Sequence, residues 1–183
     1  MSNSIKITLT KIKSNEDCFS HLFGSPIIPS SLKKTIDNLD DEVMFFGEFD
    51  LSEIALFDTE NKITHEGYLY IFIDTANYPY KAKTFYSKDK PELCIDGFND
   101  CVPDFERFTE PYAMIFEKTE EDVDGTKLFG TPSWEFDDAE LFMQFDPLDN
   151  ETGFLDNIDG YLFFTFGDKK RTLSNIRLTI EHS

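Results

Sequence analysis

The chain carries one series of segments twice. Leu22-Phe23-Gly24-Ser25-Pro26 returns as Leu128-Phe129-Gly130-Thr131-Pro132. An apolar stretch ending Phe49-Asp50 returns as one ending Phe145-Asp146. Glu66-Gly67-Tyr68-Leu69-Tyr70-Ile71-Phe72-Ile73 returns as Asp159-Gly160-Tyr161-Leu162-Phe163-Phe164-Thr165-Phe166. Three matches in one order, at similar gaps, imply a duplicated unit, with copies at about residues 20–86 and 126–182. No Pro-, Ser- or Gly-rich linker parts them, so residues 1–183 are expected to form a single domain of two lobes sharing one core.

The apolar runs are short and rich in Phe, Ile and Tyr, which favours strands over helices. Ile5, Ile7 and Leu9 alternate with polar residues and predict an edge-like strand. Ser14 predicts the cap of a short helix over Asn15–Phe23, stopped by Gly24 and Pro26. One helical turn is expected within Ser31–Leu39, and a short helix over Leu51–Phe57 capped by Asp50 or Ser52. Strands are predicted at Val43–Asp50, Gly67–Asp74, Tyr80–Tyr86, Pro111–Glu117, Leu141–Asp146, Gly160–Phe166 and over Ile176, Leu178 and Ile180. The near-continuous apolar run of Gly67–Asp74 marks a central strand covered on both faces. The expected fold class is α+β, β-rich: two pseudo-repeated antiparallel β lobes sharing one core, with few short helices.

Charge is the second strong signal. The 183 residues include 36 acids and 17 bases, a formal net charge of −19. The acids cluster: nine against one base in 40–66, eleven against two in 92–124, nine against none in 135–159. Segments 1–35, 76–90 and 168–183 are mildly basic. Nucleic acids and anionic membranes require a cationic face, so direct binding to either is not expected. A basic protein partner is favoured, because opposite charge speeds encounter. No apolar run approaches a bilayer-spanning length. The start Met1-Ser2-Asn3-Ser4-Ile5-Lys6 lacks the pattern of a secretory leader. A cytoplasmic location follows as the expectation.

The chemistry-bearing residue types form no catalytic pattern. Cys18, Cys94 and Cys101 are odd in number, and six residues separate the last two, too many for a zinc knuckle. His21, His65 and His182 lie far apart. Cys18 and His21 would be neighbours on a helix, yet nothing supplies an orienting third group or an oxyanion hole. Glu120–Thr131 begins like a calcium loop, with alternating acids and Gly125 sixth. It then places Lys127 eighth and Thr131 where a bidentate Glu belongs. The Gly-x-Pro turns read as matching corners, one per copy, since a phosphate cradle needs more glycines and a Lys. No cofactor, metal or catalytic residue is assigned, and the chain is not read as an enzyme.

Lys127-Leu128-Phe129-Gly130-Thr131-Pro132-Ser133-Trp134, Leu141-Phe142-Met143-Gln144-Phe145-Asp146 and Asp159-Gly160-Tyr161-Leu162-Phe163-Phe164 together resemble the YwqG-like domain family of unknown function. The similarity spans roughly residues 20–180, with Glu48 where the family's first half often has Gln. The resemblance implies a duplicated β-rich domain and an association with bacterial toxin–immunity gene neighbourhoods. With the clustered acids, it makes the leading expectation a non-enzymatic protein-binding module: an immunity (antitoxin) protein that caps a cationic toxin domain. Glu120, Glu121, Asp122, Asp124, Asp137 and Asp138 are the expected contact acids, with Trp134 as the anchor because Trp is enriched at binding hot spots. The alternatives are an enzyme or small-ligand binder using the cleft between lobes, and a nucleic-acid mimic.

Overall fold

Ile5, Ile7 and Leu9 turn one face of β1 (Ile5–Lys11) into the protein interior, while Lys6 and Thr10 face water. The computed structural model describes residues 4–14, 19–101, 106–134, 139–148 and 160–181. Contrary to the edge-like expectation, β1 lies in the middle of a ten-stranded sheet, between β8 (Tyr112–Lys118) and β9 (Lys127–Leu128). The alternation reported which face is wet, not how many neighbours the backbone has.

From β1 the sheet runs one way through β8, β2 (His21–Leu22), β4 (Val43–Asp50) and β5 (Tyr68–Asp74) to β6 (Lys81–Ser87). It runs the other way through β9, β10 (Leu141–Phe145) and β11 (Tyr161–Phe166) to β12 (Ile176–Glu181). Every pairing is antiparallel. The sheet curls until its ends, β6 and β12, bring Cα atoms within 8 Å of each other without forming a ladder. Among the described residues the fold is therefore a nearly closed antiparallel sheet with two short helices, which bears out the β-rich expectation at that level.

The two arms share several features. The β4–β5 ladder slips by one residue between Phe45 and Gly47, and the β10–β11 ladder between Leu141 and Met143. Each slip adds one extra residue to its strand. Those residues, Phe46 and Phe142, both enter the core inside the curled sheet. Phe46 meets Phe145 edge-on at 5.6 Å, and Phe142 meets Phe49 at 5.6 Å. Phe23 and Gly24 are consecutive left-handed residues (φ 60° and 73°), as are Phe129 and Gly130 (φ 58° and 81°). β1 pairs with β9 rather than β2, and β8 pairs with β2 rather than β9.

The helix expected over Asn15–Phe23 does not extend through its C-terminal part. Residues 15–18, including Cys18, lie outside the described residues, while His21–Leu22 form β2 between β4 and β8. Ladder pairing and burial of Leu22 and Phe23 override the local helix signal. The Cys18–His21 helical neighbourhood therefore has no basis. In 27–41 a longer helix than expected appears, α1 (Ser30–Asp37). Its Leu32 and Ile36, with Leu39 beyond, pack on Phe45, Tyr70 and Phe72 of the sheet's outer face. The two-stranded β3 (Ile27–Ile28) and β7 (Leu93–Cys94) complete that cover. Asp50 caps α2 (Leu51–Ile54) by accepting the Ser52 N–H at 2.9 Å. β5 is covered on both faces, with Leu69, Ile71 and Ile73 inside and Tyr70 and Phe72 outside. Among the described residues no helix is long and apolar enough to cross a membrane.

Candidate functional site

The acidic segment between β8 and β9 is built on hydrogen bonds to Ser4, the residue before β1. Thr119 Oγ1 donates to the Ser4 carbonyl at 2.8 Å, and the Val123 N–H donates to Ser4 Oγ at 3.2 Å. These contacts hold both ends of the turn, so Glu120 and Glu121 project outward and stay exposed.

Asp122 is turned to a different task. Its Oδ1 accepts the Lys127 ammonium at 2.9 Å and its Oδ2 accepts the Thr131 N–H at 2.5 Å. Lys127 Nζ also donates to the carbonyls of Val123 (2.5 Å) and Thr131 (2.6 Å). The lysine side chain is 1% exposed and Asp122 26% exposed. The segment that resembles the start of a calcium loop thus gathers its oxygens around the chain's own ammonium. These contacts draw the Asp122 carboxyl below the usual range, against the opposing effect of its partial burial, which is the largest single influence.

Asp124 is exposed and its Oδ1 accepts the Ser133 hydroxyl at 3.2 Å. Ser133 is in turn gripped by the buried Gln144, which accepts its N–H at 2.8 Å. Gln144 Nε2 donates to Ser133 Oγ at 2.9 Å and to the Gly125 carbonyl at 2.8 Å. The next residue, Trp134, is 52% exposed. Glu120, Glu121, Asp124 and Trp134 are thus all exposed, Asp124 is joined to Trp134's neighbour Ser133, and Asp122 is engaged with Lys127 and Thr131. Asp137 and Asp138 lie outside the described residues.

A second polar group, unmarked in the sequence, lies on the other arm. Glu48 stands across the ladder from His21 on one side and Tyr70 on the other. All three are at most 1% exposed. Glu48 Oε2 accepts the Ile27 N–H at 2.8 Å, while Oε1 and the Tyr70 hydroxyl have no hydrogen-bond partner. Burial raises the Glu48 carboxyl well above its ordinary value, and burial raises the Tyr70 phenol too. Burial lowers His21 to about 4. Its Nδ1 stands 3.0 Å from the Phe19 carbonyl and Nε2 3.4 Å from that of Ser25. A neutral ring donates through one nitrogen only, so the shorter contact takes the proton.

Sealed from solvent, this group cannot meet a substrate without opening the cover of α1, β3 and β7. The signal for it in the sequence is Glu48 at the place where the second copy has Gln144. Among the described residues no three His, Cys, Asp or Glu side chains stand together so as to hold a metal ion. No protein-family model, curated protein or solved structure matches the chain.

Proposed function

We propose that the chain is a non-enzymatic acidic binding module, an immunity protein of the cytoplasm that neutralises a cationic bacterial toxin domain by capping it. One observation carries the reading: Trp134 is exposed, and its chain neighbour Ser133 is bound by the exposed Asp124 carboxylate. Long-range attraction from Glu120, Glu121 and Asp124 raises the association rate, and burial of the indole slows dissociation. The YwqG-like resemblance supports the same reading through its toxin–immunity association.

The test is association kinetics with the basic C-terminal domain of a secreted-type protein encoded beside this chain. The triple variant Glu120→Gln/Glu121→Gln/Asp124→Asn is expected to slow association about tenfold at low salt, with the difference shrinking as salt rises. Trp134→Ala is expected to raise the dissociation rate at least tenfold with an unchanged melting temperature. Asp122→Asn lowers stability instead, because it loosens Lys127. Unaltered kinetics in both the triple variant and Trp134→Ala would remove the site.

The fold carries a companion proposal: the chain is a duplication whose halves exchange their first strands. The matched ladder slips, the paired left-handed turns and the crossed pairings β1–β9 and β8–β2 support it.

A further inference from the structure

Where the curled sheet fails to close, β6 and β12 border a groove of about 640 Å³, within the 300–1,000 Å³ range of small-molecule sites. Lys81, Lys83 and Arg177 line it, and its wall holds no carboxylate. That is unexpected in a chain with 36 acids and 17 bases. The fold causes it by bringing the two basic segments, 76–90 and 168–183, to the two free edges of one sheet. Two carboxylates bonded to groove residues are engaged: Asp74 pairs with Lys83 at 3.0 Å, and Asp168 accepts from Asn175 Nδ2 at 2.9 Å. Arg177 has no ion pair among the described residues; it also lines a neighbouring hollow of about 300 Å³ together with Lys169, Asp168 and Glu140, the last of which pairs with Arg171.

We propose that this seam binds a small organic anion, a carboxylate or phosphate ester with an apolar body. Each edge strand is paired on one side only, so backbone N–H groups face the gap. The Arg177 fork matches the two oxygens of either anion, and Lys81 adds charge. Tyr80, Phe85 and Leu178 supply apolar wall for the remainder. A peptide inserted as a strand would need the edges roughly 9.5 Å apart, two ladder spacings. Cα atoms of β6 and β12 approach within 8 Å, so the seam suits a compact ligand rather than an extended chain. This site is independent of the acidic surface around Trp134.

The experiment titrates the full chain with 8-anilinonaphthalene-1-sulfonate, following fluorescence and amide NMR shifts. Saturable binding is expected, with shifts centred on Lys81–Phe85 and Ser174–Leu178. Lys81→Gln/Arg177→Gln is expected to weaken it at least tenfold at unchanged melting temperature, and the charge-matched Lys34→Gln/Lys118→Gln to leave it intact. Displacement by phenyl phosphate, by benzoate, or by both supports the site and identifies the anion it takes. Shifts centred elsewhere, equal affinity in the Lys81/Arg177 variant, equal loss in the control, displacement by neither anion, or binding of an acidic peptide alone would overturn it.

Discussion

At the scale of single residues, two positions bracket each Gly-x-Pro turn and are filled in contrasting ways. Beside the second turn, Lys127 and Gln144 use their polar atoms fully, with three hydrogen bonds each. Beside the first, His21 and Glu48 occupy the same ladder relation, and Glu48 leaves one oxygen without a partner. The two titrations oppose each other. Glu48 is raised when folded, so its contribution to stability falls as pH climbs above its unfolded value near 4.3. His21 is lowered to about 4 when folded, so its contribution rises between about 4 and its unfolded value near 6.5. Where both groups titrate, the two slopes offset each other in the wild-type chain. Glu48→Gln removes the falling part. Its stability relative to wild type should rise as pH climbs above about 4.3, by up to about 1.4 kcal/mol per pH unit. Urea denaturation at a series of pH values checks this, and parallel profiles for the two proteins would refute it.

At the scale of elements, short strands leave work for side chains. β2 pairs with β4 only at His21 and Leu22, so the Phe45 backbone lacks a strand neighbour on that side. Asn99 replaces it: Oδ1 accepts the Phe45 N–H at 2.7 Å, and Nδ2 donates to the carbonyls of Phe45 (3.0 Å) and Phe108 (2.9 Å). The residue is 1% exposed, so its loss strands buried backbone groups. Asn99→Ala is expected to cost about 3 kcal/mol and to speed hydrogen exchange of the Phe45 amide, with Asn99→Asp recovering little. Exchange at Phe45 as slow as in the native chain would contradict this role. Such a residue is invisible to periodicity. The long strands were legible because Val43–Asp50 and Tyr68–Asp74 are apolar on both faces and exceed any turn. β2, β3, β7 and β9 were not, since two residues carry no period and are strands only through their neighbours. Glu120, Glu121 and Asp124 were readable as surface acids, but Asp122 differs from them through Lys127 and Thr131, five and nine residues away.

For the whole molecule, a net charge of −19 on 183 residues means mutual repulsion that the native state must withstand. Salt bridges at the surface, such as Lys11–Glu110 and Lys88–Glu66, are exposed at both ends and offset little of it. Raising salt from about 0.01 M to about 0.5 M shortens the screening length from tens of ångströms to a few. The melting temperature should rise over that range in sodium chloride, and a fall would mean that attractive pairs dominate. The crossed pairing of β1 with β9 has a consequence for synthesis. Ile5 leaves the ribosome more than a hundred residues ahead of its ladder neighbour Leu128. The nascent β1 must wait, its flanks bare, until β8 and then β9 have emerged, and a ribosome stalled before that point presents the cell with an unclasped edge.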